Sequence, residues 1–233
     1  MPEEINRIVA DHLSRWLFAP SEVARRQLAS EGIESGVHVV GDIMLDALRL
    51  HVPGARTRTE VFERLSVRPQ EYYLATVHRA ENTDDSARLA DIFKGLAALD
   101  LPVVFPLHPR TRKRLAEFGI HPQDAIRLLE PVGYLDMLAL EAAAACVLTD
   151  SGGVQKEAYY LGVCCVTLRE ETEWVETVET GWNALVGTDP TRIVDAVKRR
   201  AKRDDDGSRN VYGNGRTAER IVEILSDVGR TRV

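Results

Sequence analysis

Apolar and polar residues alternate along the chain in blocks that predict a regular succession of strands and helices. Short apolar runs typical of buried strands occur at residues 72–77, 102–107, 126–129, 146–149, 163–168 and 184–186. Between these runs, apolar residues recur every three or four positions, which is the spacing of helices. Apolar strands separated by helices are characteristic of a parallel sheet covered on both faces. The pattern therefore predicts an α/β fold with a doubly wound, Rossmann-like parallel sheet.

The first forty residues differ from this pattern. They predict two helices, at residues 2–16 and 22–31, and two short strands before the long alternating region begins. Because a doubly wound domain usually begins with a strand, we interpret these residues as the tail of a preceding domain. A helix is predicted at residues 43–50, and the segment 51–59, which contains Pro and Gly, is predicted to be a loop.

One stretch has the features of a ligand-binding turn. The sequence Asp-Ser-Gly-Gly at 150–153 follows the apolar run 146–149, and a helix is predicted from about Val154. Glycines let the backbone approach a ligand closely, and the free amides of a helix N-terminus attract anions. Ser151 adds a hydroxyl donor, and Glu157, one turn into the helix, could hold the two hydroxyls of a ribose. The same residues are also compatible with an ordinary capped turn between a strand and a helix.

Other polar residues lie where the predicted strands end. His78 and Arg79 follow one strand, His108 follows the next, and Arg169 follows the run 163–168. Ligands of parallel α/β sheets gather at the carboxyl ends of the strands, so this placement favours a phosphate-binding site. No Gly-x-Gly-x-x-Gly follows a strand, which argues against a dinucleotide in the usual Rossmann position.

Composition excludes several classes of function. The net charge of −6 argues against nucleic acid as the main partner, and no apolar run is long enough to span a membrane. The three cysteines, Cys146, Cys164 and Cys165, lie in apolar runs and are interpreted as buried, reduced thiols of a cytoplasmic protein. No Cys/His cluster has the spacing of metal ligands, so no metal is expected.

Ten segments provide a more specific signal. They are PEEINR (2–7), FAPSE (18–22), VGDIMLDA (40–47), VHRAEN (77–82), PLHPR (106–110), EPVGYLDML (130–138), TDSGGVQKEA (149–158), REETEWVE (169–176), VGTDP (186–190) and YGNGRTAERIVEIL (212–225). This ordered set resembles the non-hydrolysing UDP-N-acetylglucosamine 2-epimerase family.

The resemblance implies a GT-B-like architecture, in which two Rossmann-like domains face each other across a cleft. Residues 1–40 would be the remnant of the N-terminal domain, and residues 41–205 the UDP-binding domain. Residues 206–233 would be a linker and a C-terminal helix that crosses back to the N-terminal domain. Most of the first domain, with further catalytic carboxylates, is expected to be absent from this chain.

The reaction implied by the resemblance is inversion of C2 in UDP-N-acetylglucosamine, giving UDP-N-acetylmannosamine for cell-surface polysaccharide or glycan precursors. It proceeds by elimination of UDP and re-addition, needs no cofactor, and is carried out by a homodimer. The resemblance assigns catalytic roles to Glu3 and His78. It assigns UDP contacts to Ser151, Gly152, Gly153, Glu157, Val132, Tyr134, Arg79 and His108.

Several of these residues have structural interpretations on sequence alone. Glu3 is compatible with a first-turn helix residue favoured by the helix dipole. His78 is compatible with a hydrogen-bonded histidine at a strand end, and Tyr134 with a core residue. Arg169 is expected to pair with Glu170 or Glu173.

The chain departs from the family pattern at two positions. Trp174 replaces an Arg that serves the diphosphate in many bacterial members, and Ala80 replaces a second Arg. Because Trp cannot donate a charged pair of N–H groups, anion binding is expected to depend more on the glycine turn and on other basic residues.

Two other functions are compatible with the sequence. One is a UDP-sugar glycosyltransferase of the same architecture, and the other is a non-catalytic UDP-binding module. The segments PEEINR and VHRAEN favour the epimerase. The chain is expected to bind UDP but to turn over poorly by itself.

Overall fold

The structure, a computed structural model, describes residues 2–58, 60–200 and 210–230. In chain order its helices and strands are α1 (Pro2–Leu13), β1 (Leu17–Ala19), α2 (Glu22–Ser30), β2 (Val37–Val39), α3 (Ile43–Ala55), α4 (Glu60–Leu65), β3 (Tyr73–Thr76), α5 (Ala80–Thr83), α6 (Ser86–Ala97), β4 (Val103–Pro106), α7 (Pro109–Phe118), β5 (Ile126–Leu129), α8 (Tyr134–Ala143), β6 (Cys146–Thr149), α9 (Gly152–Leu161), β7 (Cys165–Thr167), α10 (Val175–Glu179), β8 (Asn183–Leu185), α11 (Pro190–Arg200) and α12 (Thr217–Arg230).

The chain divides into two compact units. The smaller unit comprises Met1–Leu50 together with Ser208–Val233, and the larger comprises His51–Gly207. The smaller unit contains a two-stranded parallel sheet, in which β1 pairs with β2. Within it, an amide in the first turn of α12 is capped from α3, because Ala218 N donates to Asp46 Oδ2 at 2.8 Å. The predicted domain limit at residue 40 remains a prediction, and the predicted limit at residue 205 lies outside the described residues.

The larger unit is built on a six-stranded parallel sheet with the order β5-β4-β3-β6-β7-β8. The chain starts at the centre with β3, moves outwards to β5, and then returns to the other side of β3 as β6. Because crossovers between parallel strands are right-handed, this reversal places α6 and α7 on one face and α8 and α9 on the other. Consistent with this, α6 packs against α11, and α8 packs against α9. The predicted doubly wound α/β fold is confirmed.

The strands form because their apolar runs are buried on both faces. All four residues of β6 are buried, as are the first three of β3 and of β4. Apolar side chains of α6 and α11, including Ile92 and Ile193, complete the core. Cys146, Cys164 and Cys165 are buried free thiols, as predicted. Most predicted elements are present, with ends that differ by one to three residues.

The predicted loop at 51–59 is wrong in its first half. Helix α3 continues to Ala55 and includes Pro53. Proline prevents an amide hydrogen bond at its own position and clashes with the preceding turn, but two residues from the helix end this disturbs little. The central helix α9 also begins two residues earlier than predicted, at Gly152 rather than Val154.

Candidate functional site

The carboxyl ends of β3 and β6 lie side by side at the point where the strand order reverses. The last residues of these strands pair, and Thr76 Oγ1 lies 2.7 Å from Thr149 Oγ1. Beyond them the chain continues into the loop before α5 and into the turn before α9. Such a reversal leaves a crevice between the diverging loops, which is where open α/β sheets bind ligands.

Asp150 connects these two loops. Its carboxylate is fully buried and accepts hydrogen bonds from His78 N at 3.1 Å, from Arg79 N at 3.0 Å and from Asn82 Nδ2 at 3.1 Å. A buried carboxylate is tolerated when donors converge on it in this way. Sequence reasoning placed Asp150 in the turn but gave it no role. The available signal was an acidic residue directly after a fully apolar strand.

His78 faces the same carboxylate. Its Nδ1 lies 3.5 Å from Asp150 Oδ1, and the side chain is partly exposed. Burial lowers the pKa of His78, Asp150 raises it, and the charges of His108, Arg79 and Arg110 lower it, with a net decrease. His78 is therefore neutral at pH 7. The carboxylate beside Nδ1 favours the tautomer with its proton there, so that Nε2 is left as an acceptor.

His108 has the opposite arrangement. It caps α7, and its Nδ1 accepts a hydrogen bond from Arg110 N at 3.2 Å, because Pro109 has no amide proton. A neutral His108 therefore carries its proton on Nε2 and donates there. The two imidazole rings lie 5.4 Å apart between centroids. The pair thus presents one acceptor and one donor nitrogen at neighbouring strand ends.

The turn before α9 has the geometry of an anion site. Ser151 caps the helix, and its Oγ accepts from Val154 N at 3.5 Å. Gly152 and Gly153 occupy the first two helical positions, where amide protons have no acceptor within the helix. A Cβ on Gly152 would lie 2.9 Å from Trp174 Nε1, so any other residue at this position would require the indole to move.

Arg169 is buried and pairs with the half-exposed Glu173 beside this turn. Its Nη1 and Nη2 donate to the two carboxylate oxygens of Glu173 at 2.9 and 3.1 Å. Arg79 lies 3.9 Å from the same carboxylate. Burial acts to raise the pKa of Glu173, but hydrogen bonds from Arg169 and from the backbone lower it overall. The predicted pairing of Arg169 is confirmed, with Glu173 as its partner.

Glu157 and Tyr134 meet between α8 and α9. Burial raises the pKa of Glu157, whereas a hydrogen bond from Tyr134 and the charge of Lys156 partly offset this. Burial and the charge of Glu157 raise the pKa of Tyr134 to about 12. The Tyr134 side chain is 46% exposed, so it is not a core residue. Val132 lies two residues earlier, in the loop between β5 and α8.

Glu141 lies on the same face of α8 as Tyr134, because seven residues make almost two complete turns. It is fully buried, and neither carboxylate oxygen has a hydrogen-bond partner in the described part of the chain. Burial and the charge of Glu157 raise its pKa well above the usual value. Its signal in the sequence was a charge in the alanine-rich last turns of a helix.

Glu3 cannot be related to this site. Its backbone belongs to α1 in the smaller unit, and its side chain lies outside the residues that the structure describes. In the described ranges, no group of three or more His, Cys, Asp or Glu residues could hold a metal ion. Within the same ranges, none of the helices combines the length and the apolar character needed to cross a membrane.

Comparisons with known proteins identify the family. A family model described as UDP-N-acetylglucosamine 2-epimerase matches residues 1–226. A UDP-N-acetylglucosamine 2-epimerase from Methanocaldococcus jannaschii is 44% identical over 97% of this chain and 64% of its own length. A UDP-2,3-diacetamido-2,3-dideoxy-D-glucuronate 2-epimerase from Pseudomonas aeruginosa is 41% identical over 97% of this chain and 64% of its own length.

A crystal structure of the Methanocaldococcus jannaschii enzyme in complex with UDP-GlcNAc and UDP has a TM-score of 0.87 and 43% identity. The match covers 97% of this chain and 65% of that one, so the chain spans just under two thirds of the proteins that it matches. The similarity extends over nearly all of the chain and includes every strand of the site. The chain therefore belongs to the UDP-N-acetylglucosamine 2-epimerase family.

Proposed function

We propose that the chain binds UDP-sugars and takes part in the interconversion of UDP-N-acetylglucosamine and UDP-N-acetylmannosamine. Relatives over 40% identical are named as 2-epimerases, and one was solved with UDP-GlcNAc and UDP. The observation that carries the proposal is the convergence of three features on one edge of the sheet. These are the glycine turn of α9, the pair of histidines, and the neighbouring side chains of Tyr134 and Glu157.

The nucleotide contacts follow from these features. The amides of Gly152 and Gly153 and the hydroxyl of Ser151 hold the diphosphate at the positive end of α9. Glu157 accepts hydrogen bonds from the two ribose hydroxyls, and the loop residue Val132 packs beside the uracil. Three further contacts to UDP come from Tyr134, Arg79 and His108.

The chemistry requires charge stabilisation and proton transfer. Removal of the C2 proton and cleavage of the C1–O bond release UDP, whose new negative charge is met by fixed donors at the turn. Re-addition of UDP with protonation on the opposite face completes the inversion, so acid/base groups are needed on both sides. We assign His78 and Glu3 to proton transfer, and Asp150 positions His78.

The organisation of the whole protein is part of the same proposal. Residues 41–205 form the UDP-binding domain, residues 1–40 belong to a preceding Rossmann-like domain, and residues 206–233 return to that domain. The protein acts as a homodimer in the cytoplasm. Size-exclusion chromatography with light scattering tests the dimer, which a monomeric mass at micromolar concentration would contradict.

Titration calorimetry with UDP tests the site, and turnover of UDP-N-acetylglucosamine in D₂O tests the reaction. We expect UDP binding and, at the low turnover expected of this chain by itself, formation of the mannosamine epimer and deuterium at C2, all without an acceptor. His78→Gln should lower turnover by two or more orders of magnitude, because general acid/base catalysis contributes roughly 10²–10⁴-fold. His121→Gln, which changes a histidine outside the site, is the matched control.

The outcomes separate the alternatives. Strict dependence on a sugar acceptor would indicate a glycosyltransferase, and UDP binding without any turnover of either relative's substrate would indicate a binding module. Because one relative is named for a diacetamido-glucuronate, UDP-2,3-diacetamido-2,3-dideoxy-D-glucuronate is assayed in parallel. Absence of UDP binding would overturn the proposal.

A further inference from the structure

Trp174 and Lys156 form a pair beside the glycine turn. Lys156 Nζ lies 3.8 Å from the centroid of the Trp174 ring, which is the geometry of a cation–π contact. The indole Nε1 lies 2.9 Å from the position of a Cβ on Gly152. The indole edge therefore borders Gly152, the first residue of α9, and the Lys156 ammonium lies over the face of the ring.

We propose that Trp174 determines the preference for a diphosphate by donating its indole N–H to a phosphate oxygen at the turn. The inference rests on the proposed binding of UDP at this turn. An indole nitrogen can only donate, and a donor to an ionised phosphate forms a stronger bond than a neutral pair does. The Lys156 ammonium withdraws electron density through the ring face and makes the N–H a better donor.

The charges around the turn explain why an additional donor is useful. Glu173 Oε2 lies 3.8 Å from the same Cβ position, so its carboxylate borders the turn, and like charge repels a phosphate bound there. Arg169 and Arg79 neutralise this carboxylate. The two N–H groups that Arg169 directs to Glu173 are thereby used and do not donate to a phosphate. Trp174 adds a donor at the turn itself, and Lys156 adds a positive charge that is buried and therefore little screened by salt.

A packing role for Trp174 makes a different prediction from a donor role. Phenylalanine keeps an aromatic face for Lys156 and most of the apolar contact area, but it has no N–H. Uridine shares the base and ribose of UDP but has no phosphate. If Trp174 only packs, Trp174→Phe should affect both ligands alike. If it donates to the diphosphate, only UDP binding should weaken.

The test is calorimetry at pH 8 with UDP and uridine on the chain and four variants. For Trp174→Phe we expect a roughly tenfold loss of UDP affinity, the size of one hydrogen bond to a charged group, and less than about a twofold change for uridine. Lys156→Gln should also weaken UDP binding. The fold-loss of UDP affinity in the double variant should be smaller than the product of the fold-losses in the two single variants. Lys113→Gln, which removes a cation that is 73% exposed, is the charge control.

A measurement on the unaltered chain guards against a variant that fails to fold. The chain has three tryptophans, so a ¹⁵N–¹H spectrum contains three indole resonances, which through-bond NMR assigns. UDP should move the Trp174 indole proton downfield, and uridine should not.

An equal response to both ligands, or an unchanged UDP affinity in Trp174→Phe, would overturn the role of Trp174 and leave the proposed function standing. If the unaltered chain binds UDP no better than uridine, the phosphate site itself is wrong.

Discussion

Asp150 and Glu141 are two fully buried carboxyl groups of the same unit with opposite surroundings. Asp150 stands at a strand end, where two backbone amides and an amide side chain donate to it. Glu141 stands inside α8, where every nearby amide is used by the helix, and its oxygens have no partner in the described residues. Irregular backbone at the edge of a sheet can thus hold a buried charge, whereas a helix interior cannot.

The largest expected effect comes from changing the partnered carboxylate. Asp150→Asn keeps the shape but replaces an acceptor with an NH₂ that faces donors. We expect a loss of about 3 kcal/mol in the free energy of unfolding, together with loss of UDP binding, because a buried donor set is left without its acceptor. The charge of Asp150 raises the pKa of His78, so the variant should also lower that pKa further. Urea unfolding and NMR titration of the imidazole measure the two effects.

The matched control is Asp85→Asn. Asp85 also accepts from two backbone amides, Ala87 N and Arg88 N, but at the exposed start of α6. Asparagine is as good a helix cap as aspartate, so Asp85→Asn should lower the free energy of unfolding by less than about 0.5 kcal/mol. Equal losses in the free energy of unfolding for Asp150→Asn and Asp85→Asn would show that the convergence of donors on Asp150 adds nothing to stability.

A smaller effect of opposite sign is expected at the unpartnered carboxyl group. The pKa of Glu141 is raised in the folded protein above the ordinary 4.5, so the folded state binds its proton more tightly than the unfolded chain. Stability is therefore lost as the pH rises from about 4.5 through the raised pKa. Glu141→Met removes this penalty and should stabilise the protein by about 2 kcal/mol at pH 8, and by less at pH 4.

Chemical unfolding at both pH values measures the difference between Glu141→Met and the unaltered chain. Glu63→Met, the same substitution at an exposed position of α4, should change stability by less than about 0.5 kcal/mol. A gain from Glu141→Met that is equal at pH 4 and pH 8 would mean that Glu141 does not titrate between them.

The sequence predicts the sheet and the turn because both depend on local signals. Apolar runs mark the strands, and Ser-Gly-Gly marks the start of α9. The strand order was not predictable, since Thr76 and Thr149 meet across 73 residues with no pattern that joins them. Side-chain pairs such as Lys156 with Trp174 are equally invisible, because burial and rotamer decide them only after folding.

Local propensity also misjudged the region around Pro53. Pro and Gly together predict a loop, yet α3 continues past both to Ala55. Proline removes only one helical hydrogen bond, which the rest of a 13-residue helix offsets. The sequence did not predict the different surroundings of Asp150 and Glu141 for a related reason. Both are acidic residues in apolar stretches, and only the backbone around them differs.

The surroundings of Glu157 are intermediate between those of Asp150 and Glu141. The effect expected from changing Glu157 is the smallest of the three and the most specific, because it concerns ligand binding. Burial raises its pKa, but unlike Glu141 it accepts a hydrogen bond from Tyr134, which lowers the pKa in part. In the proposed function, an ionised Glu157 is the form that accepts hydrogen bonds from the ribose hydroxyls. Uridine affinity should therefore fall as the pH decreases through the raised pKa, and a ligand without phosphate excludes any contribution from the anion turn.

Tyr134→Phe removes one of the two interactions that lower the pKa of Glu157, so the decline in uridine affinity should move to higher pH. Glu157→Gln should flatten the profile and weaken uridine binding roughly tenfold at pH 8. Tyr73→Phe is the matched control, because it also removes a hydroxyl bonded to a carboxylate, that of Asp100, but at the first residue of β3. If Tyr134→Phe and Tyr73→Phe gave the same profile as the unaltered chain, Tyr134 would not tune Glu157, and the surroundings of Glu157 would resemble those of Glu141 rather than being intermediate.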